Sequence, residues 1–407
     1  MAPKTFYLKM LVLFILVGLA LRITLAKSLG FFTVEYDMYT FQAWGNILAN
    51  NGSGDFYNGW SDYLPGYLYV LWFITIIYKW LLAQSLLIPI DIFYKLPSIL
   101  SDLGNFVFIY LIVKKFASQR WALLTGLAYL LNIVFFANST LWGQADSFIT
   151  LFLLSSFYYL LQGKYWLSAL LIGFAQIVKP IAILSLPLYL IYLFHQKKFK
   201  EVIIYIAIFG TVILLLFTPF NNTNNIFQFI LERHVVTANQ YPYTSVNAFN
   251  FWSLVTKLWQ PDKEFFLNIT LHDWGTFLFG VIYLVIISIT SFRLKTTKNV
   301  AFVLSFALAI CYFALFTFLT RMHERHLYYG LVYLTTLLPR LSIFGTIALL
   351  ILYMVHLLNL YYPYSHATST PLILERNLII VVSFALVAVF VYFFVTFVKN
   401  YVKKSES

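Results

Sequence analysis

Nine long apolar runs decide the medium in which this chain can fold. They lie near 7–26, 93–113, 119–136, 146–162, 202–219, 274–292, 299–320, 341–361 and 377–398. A helix that spans the hydrocarbon core needs roughly 20 such residues. Charged residues make up only 10% of the 407, against 61% hydrophobic ones. So few charges cannot cover a water-facing surface, which excludes a soluble domain and a disordered chain. A transmembrane β-barrel alternates with period 2, and these runs do not. The expected fold class is an all-α polytopic membrane protein. Aromatics are 20% of the chain, with 42 Phe and 30 Tyr, which suits lipid-facing walls and interfacial belts.

Three further stretches need interpretation. The segment 165–194 is broken by Lys179-Pro180 into two pieces that are either two short spans or a re-entrant pair, and both choices return the chain to the same side. A shorter apolar run lies near 327–339, and 64–82 is apolar but opens with Leu64-Pro65-Gly66 and contains Lys79. Charge arbitrates. The net charge of +12 fits an excess of basic residues in cytoplasmic loops better than a nucleic-acid surface, because no sizeable soluble segment carries it. Four basic clusters are placed inside: Lys114, Lys115 and Arg120; Lys197, Lys198 and Lys200; Arg293, Lys295 and Lys298; Lys399, Lys403 and Lys404. The parity then closes with about 12 crossings, both termini cytoplasmic, and 64–82 held outside as a surface helix. The expected organisation is a core module over 1–220 with a long outer loop at 27–92, an outer loop at 221–273, and C-terminal membrane helices over 274–407. Residues 1–26 read as a retained first span. The single cysteine, Cys311, excludes an internal disulfide or a cysteine-based metal site.

Polar motifs gather at one face. Glu35-Tyr36-Asp37 follows the first span, and a carboxylate at the membrane edge among aromatics suits a base for a hydroxyl. Trp142-Gly143-Gln144-Ala145-Asp146-Ser147 opens a span, where an acid is also favoured by the helix dipole. Lys179-Pro180 puts a cation at a helix break, as is tolerated where a cavity is lined. Arg321-Met322-His323-Glu324-Arg325-His326 ends the run 299–320. Such a density of ionisable groups beside hydrocarbon is costly unless it serves a site, and Arg325 with the histidines suits a phosphate. The spacing of His323 and His326 is not that of a His-Glu-x-x-His zinc site. Tyr241 to Asn250, which includes Tyr243 and Asn247, is aromatic and polar, as sugar stacking requires. Asp102 is an intramembrane acid with no partner apparent in sequence. Four sequons, Asn51-Gly52-Ser53, Asn138-Ser139-Thr140, Asn221-Asn222-Thr223 and Asn268-Ile269-Thr270, fall on the outer side in this topology.

The order of these motifs, with Asp62-Tyr63-Leu64-Pro65-Gly66 and Lys95-Leu96-Pro97 between them, resembles the GT-C membrane glycosyltransferases that use a polyprenyl-phosphate-linked sugar. It is most similar to bacterial mannosyltransferase-like proteins related to the second mannosyltransferase of GPI-anchor synthesis. Leu64 and His326 depart from that pattern. The resemblance implies a GT-C fold with two juxtamembrane helices in the first outer loop. It also implies an inverting transfer of a hexose, mannose first, from a polyprenyl-phosphate donor to a hydroxyl of a glycan or glycolipid acceptor at the outer face. Asp37 would then be the catalytic base, with Arg325, His323 and Lys179 binding the donor phosphate. Asp146, Gln144, Trp142, Glu324, Tyr243 and Asn247 would bind substrate. Besides the lipid bilayer no other partner is implied, and no cofactor or metal, since a phosphate is already a good leaving group. The alternative from another class is a secondary transporter or lipid flippase. It would show repeated halves and midplane binding residues, and the sequence has neither.

Overall fold

The computed structural model describes residues 4–28, 35–367 and 375–402. The chain runs α1 (Lys4–Ser28), α2 (Glu35–Asn51), α3 (Pro65–Ala83) and α4 (Ile90–Val113). Then come α5 (Gln119–Leu130), the single turn α6 (Ile133–Phe136), a π-helical segment Ala137–Trp142, α7 (Asp146–Leu161), α8 (Tyr165–Val178), α9 (Ser185–His195) and α10 (Phe199–Phe217). α11 (Ile226–Asn239) and α12 (Phe251–Val255) precede a small antiparallel hairpin, β1 (Phe265–Phe266) and β2 (Ile269–Thr270). The last elements are α13 (Leu271–Leu294), α14 (Val300–Phe318), α15 (Tyr328–Thr336), α16 (Ile343–Ala367) and α17 (Arg376–Val402). The tail residues Lys403 and Lys404 and the side chain of Glu35 lie outside the described residues.

The protein is an all-α polytopic membrane protein. Among the described residues eight helices are long and apolar enough to cross a membrane, or nine if Gln119–Leu130 and Ile133–Trp142, bent by 45°, form one span. That bend was not expected in the run 119–136. The Asn132 side chain accepts from the Val134 amide at 3.1 Å and starts a new helix there. Four of the twelve expected crossings are shorter than this measure: α7, the two halves of 165–194, and α15. Helix α3 is the reverse case. It is long and apolar enough to cross, although it is the least hydrophobic of the eight, whereas the charge count leads to the expectation that it does not. The break at Lys179-Pro180 is real. Lys179 is extended at φ −145° and ψ 132°, the conformation a following proline imposes.

Two compact units divide the chain. The first takes Met1–Phe108, Phe136–Leu186 and Lys198–Gln240, the second Ile109–Phe135, Pro187–Lys197 and Tyr241–Ser407. In the first, α8 packs on α7, α10 and α3, and α2 packs on α3. Gly66 lets α3 approach the backbone of α8 closely: a Cβ there would lie 2.7 Å from the backbone of Ile177 and Val178. In the second, α14 is central and packs on α13, α15 and α17. Its residues from Val303 to Thr317 are buried without a gap, Cys311 among them, so this helix reads as apolar all round.

Candidate active site

Asp37 sits in the first turn of α2 and is half-buried. Its Oδ2 accepts from Trp142 Nε1 at 2.9 Å and from Gln144 Nε2 at 2.6 Å. Both donors project from a strap formed by the π-helical segment and the turn into α7. Gly143 makes that turn at φ +89°, in the left-handed region where glycine carries no Cβ penalty. A Cβ there would also meet Met38 Cε at 2.8 Å and Lys95 Cγ at 3.0 Å. The first turn of α2 therefore rests directly on the strap.

Buried polar groups of α4 and α1 hold the strap in place. Lys95 Nζ donates to the Leu141 carbonyl at 2.8 Å, and Ser98 Oγ to the Gln144 carbonyl at 2.7 Å. Asp102 is fully buried. It accepts from Ser139 Oγ and Ser147 Oγ, each at 2.5 Å, and pairs with Arg22 Nε of α1 at 2.9 Å. The Arg22 guanidinium also lies 5.9 Å from the centre of the Phe136 ring. Arg22 was not singled out in the sequence, where an arginine near the end of a first span reads as interfacial. The structure supplies the partner that Asp102 lacked.

Asp146 is also fully buried. Lys179 Nζ lies 2.5 Å from its Oδ1, and Asn138 Nδ2 donates to its Oδ2 at 3.2 Å. The extended backbone at the helix break delivers this ammonium. Asn138, Ser139 and Thr140 are wholly buried, so this sequon is closed to a glycosylating enzyme in the folded protein.

In the second unit, the segment 321–327 is stitched to the loop around Tyr243. The Arg321 amide donates to the Tyr243 carbonyl at 2.8 Å, and the Val246 amide to the Met322 carbonyl at 2.9 Å. His323 bridges to Val246 and Asn247, and the Tyr241 ring stands edge-on to the His323 ring at 4.7 Å. Asn247 Oδ1 accepts from Trp259 Nε1 at 2.7 Å, and Tyr243 packs on the Trp259 ring at 5.2 Å. Arg325 Nη1 pairs with Glu324 Oε1 at 2.8 Å and lies 3.5 Å from His323 Nδ1. Glu324 is buried, while Arg325 remains partly exposed. Asp262, which belongs to no motif legible in the sequence, is buried and takes Arg321 Nε at 2.6 Å on Oδ2.

Trp142, Gln144 and Asp37 thus come together in one unit, with Asp146 and Lys179 paired in the same unit. His323, Glu324, Arg325, Tyr243 and Asn247 are grouped in the other. Among the described residues no group of three or more His, Cys, Asp or Glu side chains is placed to hold a metal ion.

No curated protein matches the chain. The sequence profile of glycosyltransferase family 87 matches residues 63–320. The matched region contains Trp142, Gln144, Asp146, Lys179, Tyr243 and Asn247, while Asp37 and residues 323–325 lie outside it. Family membership favours glycosyl transfer over the transporter alternative. With more than half of its length matched, the chain belongs to glycosyltransferase family 87.

Proposed function

We propose that this glycosyltransferase is inverting and moves a hexose, mannose first, from a polyprenyl-phosphate donor to a hydroxyl of a glycan or glycolipid acceptor at the outer membrane face. The observation that carries this reading is the setting of Asp37. Its carboxylate is oriented through one oxygen by two N–H donors on a braced strap, at the start of a helix that follows the first membrane span. In the proposed reaction the carboxylate takes the acceptor's proton as the acceptor oxygen attacks the anomeric carbon. The bond to the phosphate breaks, and the electron pair leaves with the lipid phosphate. Arg325 and His323 stabilise that phosphate, and Lys179 shares in this from its pairing with Asp146. Trp142 and Gln144 serve the reaction by holding Asp37. Glu324 fixes Arg325, and Tyr243 and Asn247 line the sugar. The roles of Asp37 and of Arg325 are separate claims, each tested by itself.

Asp37→Asn keeps the shape and removes the base. Turnover falls by about 10²–10⁴-fold while donor-lipid binding stays near wild type. Near-wild-type rates at saturating donor would overturn the base assignment. We also infer twelve crossings, both termini cytoplasmic and α3 lying outside. Cysteines replacing Asp55 and Ser85, exposed positions on either side of α3, in a Cys311→Ala background should react with an impermeant thiol reagent from the same side. Reaction from opposite sides makes α3 a span.

A further inference from the structure

The β1–β2 hairpin presents apolar side chains where a loop in water would carry polar ones. Phe265, Phe266 and Leu267 are 73%, 59% and 72% exposed. The turn itself sharpens the anomaly. Phe266 pairs with Ile269 across it, and the two turn residues, Leu267 and Asn268, have φ of +51° and +62°. Two successive left-handed residues make a hairpin turn that favours Asn, Asp or Gly. Asn268 suits it. A leucine does not, because its Cβ is strained in that region. Local backbone preference and aqueous exposure therefore both oppose Leu267, which stays exposed among the described residues.

The hairpin's attachment gives its depth. The β2 strand runs directly into α13, a helix long and apolar enough to cross the membrane. Trp274, in the first turn of that helix, donates from Nε1 to the Phe266 carbonyl at 2.9 Å, and its ring lies 6.4 Å from that of Phe266. The hairpin thus folds back beside the first turn of α13. One turn further on, the Phe277 ring is 6.1 Å from Trp274 and exposed on the flank of α13. Phe266, Trp274 and Phe277 form one apolar row that continues from the hairpin onto the helix surface. At the hairpin's base the character reverses: Lys263 and Glu264 are exposed and charged.

We propose that this hairpin is a membrane-surface anchor whose tip, Leu267 with Phe265, Phe266 and Ile269, inserts among the lipids of the leaflet at the N-terminal end of α13. The row's continuity with a membrane helix identifies the occupant as lipid, and aromatic side chains at that level are what a bilayer interface favours. The anchor is independent of the reaction proposed above. Its consequence is positional. Asp262, immediately before the hairpin, holds Arg321 at 2.6 Å, so the depth of the hairpin fixes the depth of the segment carrying His323 and Arg325. Insertion also withdraws Asn268 from any glycosylating enzyme.

The test uses the full chain in lipid vesicles with Cys311→Ala. Leu267→Cys and Lys263→Cys are compared for their rate with a charged, impermeant thiol reagent. Both lie on one loop, so their ratio does not depend on how the protein is oriented in the vesicle. Leu267→Cys should react at least about tenfold more slowly, since burying apolar side chains of this size shifts an exposed–inserted equilibrium by that factor or more. A fluorophore on Leu267→Cys should also be quenched by phospholipid brominated on its acyl chains. Adding Phe265→Ser and Phe266→Ser should raise the rate towards that of Lys263→Cys. Equal rates at the two positions overturn the proposal. So does slow reaction without quenching by brominated lipid, which means that the tip is covered by protein.

Discussion

Asp37 and Asp102 grip the same strap and are treated in opposite ways. Asp102 is wholly buried, and both of its oxygens are taken, by Arg22, Ser139 and Ser147. Asp37 is half-buried, and both of its strap contacts go to Oδ2. The first arrangement is closed: a charge that would be costly in a low-dielectric interior is paired and hydrogen-bonded in full. The second orients a carboxylate through one oxygen, and among the described residues the other takes no hydrogen bond. A rigid polar brace placed behind a partly open acid is how a site is kept in position without consuming its reactive group.

The largest expected effect comes from breaking the closed side. Arg22→Met leaves Asp102 as an uncompensated buried charge, and removing one partner of a buried pair costs about 3–5 kcal/mol. Thermal unfolding of the detergent-solubilised protein should show that loss. The double variant Arg22→Met/Asp102→Leu should recover most of it, because replacing both partners by apolar groups is often neutral. If the double variant is as unstable as the single one, the two serine contacts hold the strap and the ion pair is secondary.

Glu324 tests an intermediate case. It is buried like Asp102, but its partner Arg325 is partly exposed and also lies near His323. If Arg325 existed only to neutralise Glu324, a lysine would serve nearly as well. A guanidinium acting on the donor phosphate instead gives two parallel charge-assisted bonds that an ammonium cannot match. Arg325→Lys should therefore lower kcat/KM for the donor by about 10- to 150-fold, or roughly 1.4–3 kcal/mol, with little change in acceptor dependence at saturating donor. Unchanged donor kinetics in a folded variant reduce Arg325 to a neutralising role.

The two kinds of carboxylate were not equally legible in the sequence. The membrane class and most spans were, because lipid demands long apolar runs whatever the partners. Asp37 could be selected because it follows directly on a span. The brace could not. Arg22 and Asp102 are 80 residues apart, and Lys179 and Asp146 are 33 apart, so each pair exists only through helix packing. The π-helical segment over Ala137–Trp142 was equally hidden, since its residues carry no periodic signal distinct from an ordinary helix end. Asp262 carries no local signal, since a lone loop acid normally reads as solvated. What escaped sequence reading is mostly long-range pairing of single charges, which neither hydrophobic period nor local motif encodes.

The smallest expected effect probes the open side without removing the acid. Trp142 is buried, so in this reading it contributes its N–H and its packing but offers no surface for sugar stacking. Trp142→Phe keeps an aromatic ring and deletes the 2.9 Å bond to Asp37, while the 2.6 Å bond from Gln144 remains. A single bond of this kind contributes about 0.5–3 kcal/mol, with hydrogen bonds to a charged acceptor toward the upper end. One of two orienting donors is lost and the base itself is kept, so kcat should fall by about 3- to 30-fold, below the loss in Asp37→Asn. KM for both substrates should change little, because the deleted bond is internal to the protein. A rise in donor KM at constant kcat would place the indole against the substrate. A kcat loss as large as that of Asp37→Asn would mean that the strap loses its shape without Trp142, and that Gln144 alone cannot hold the carboxylate.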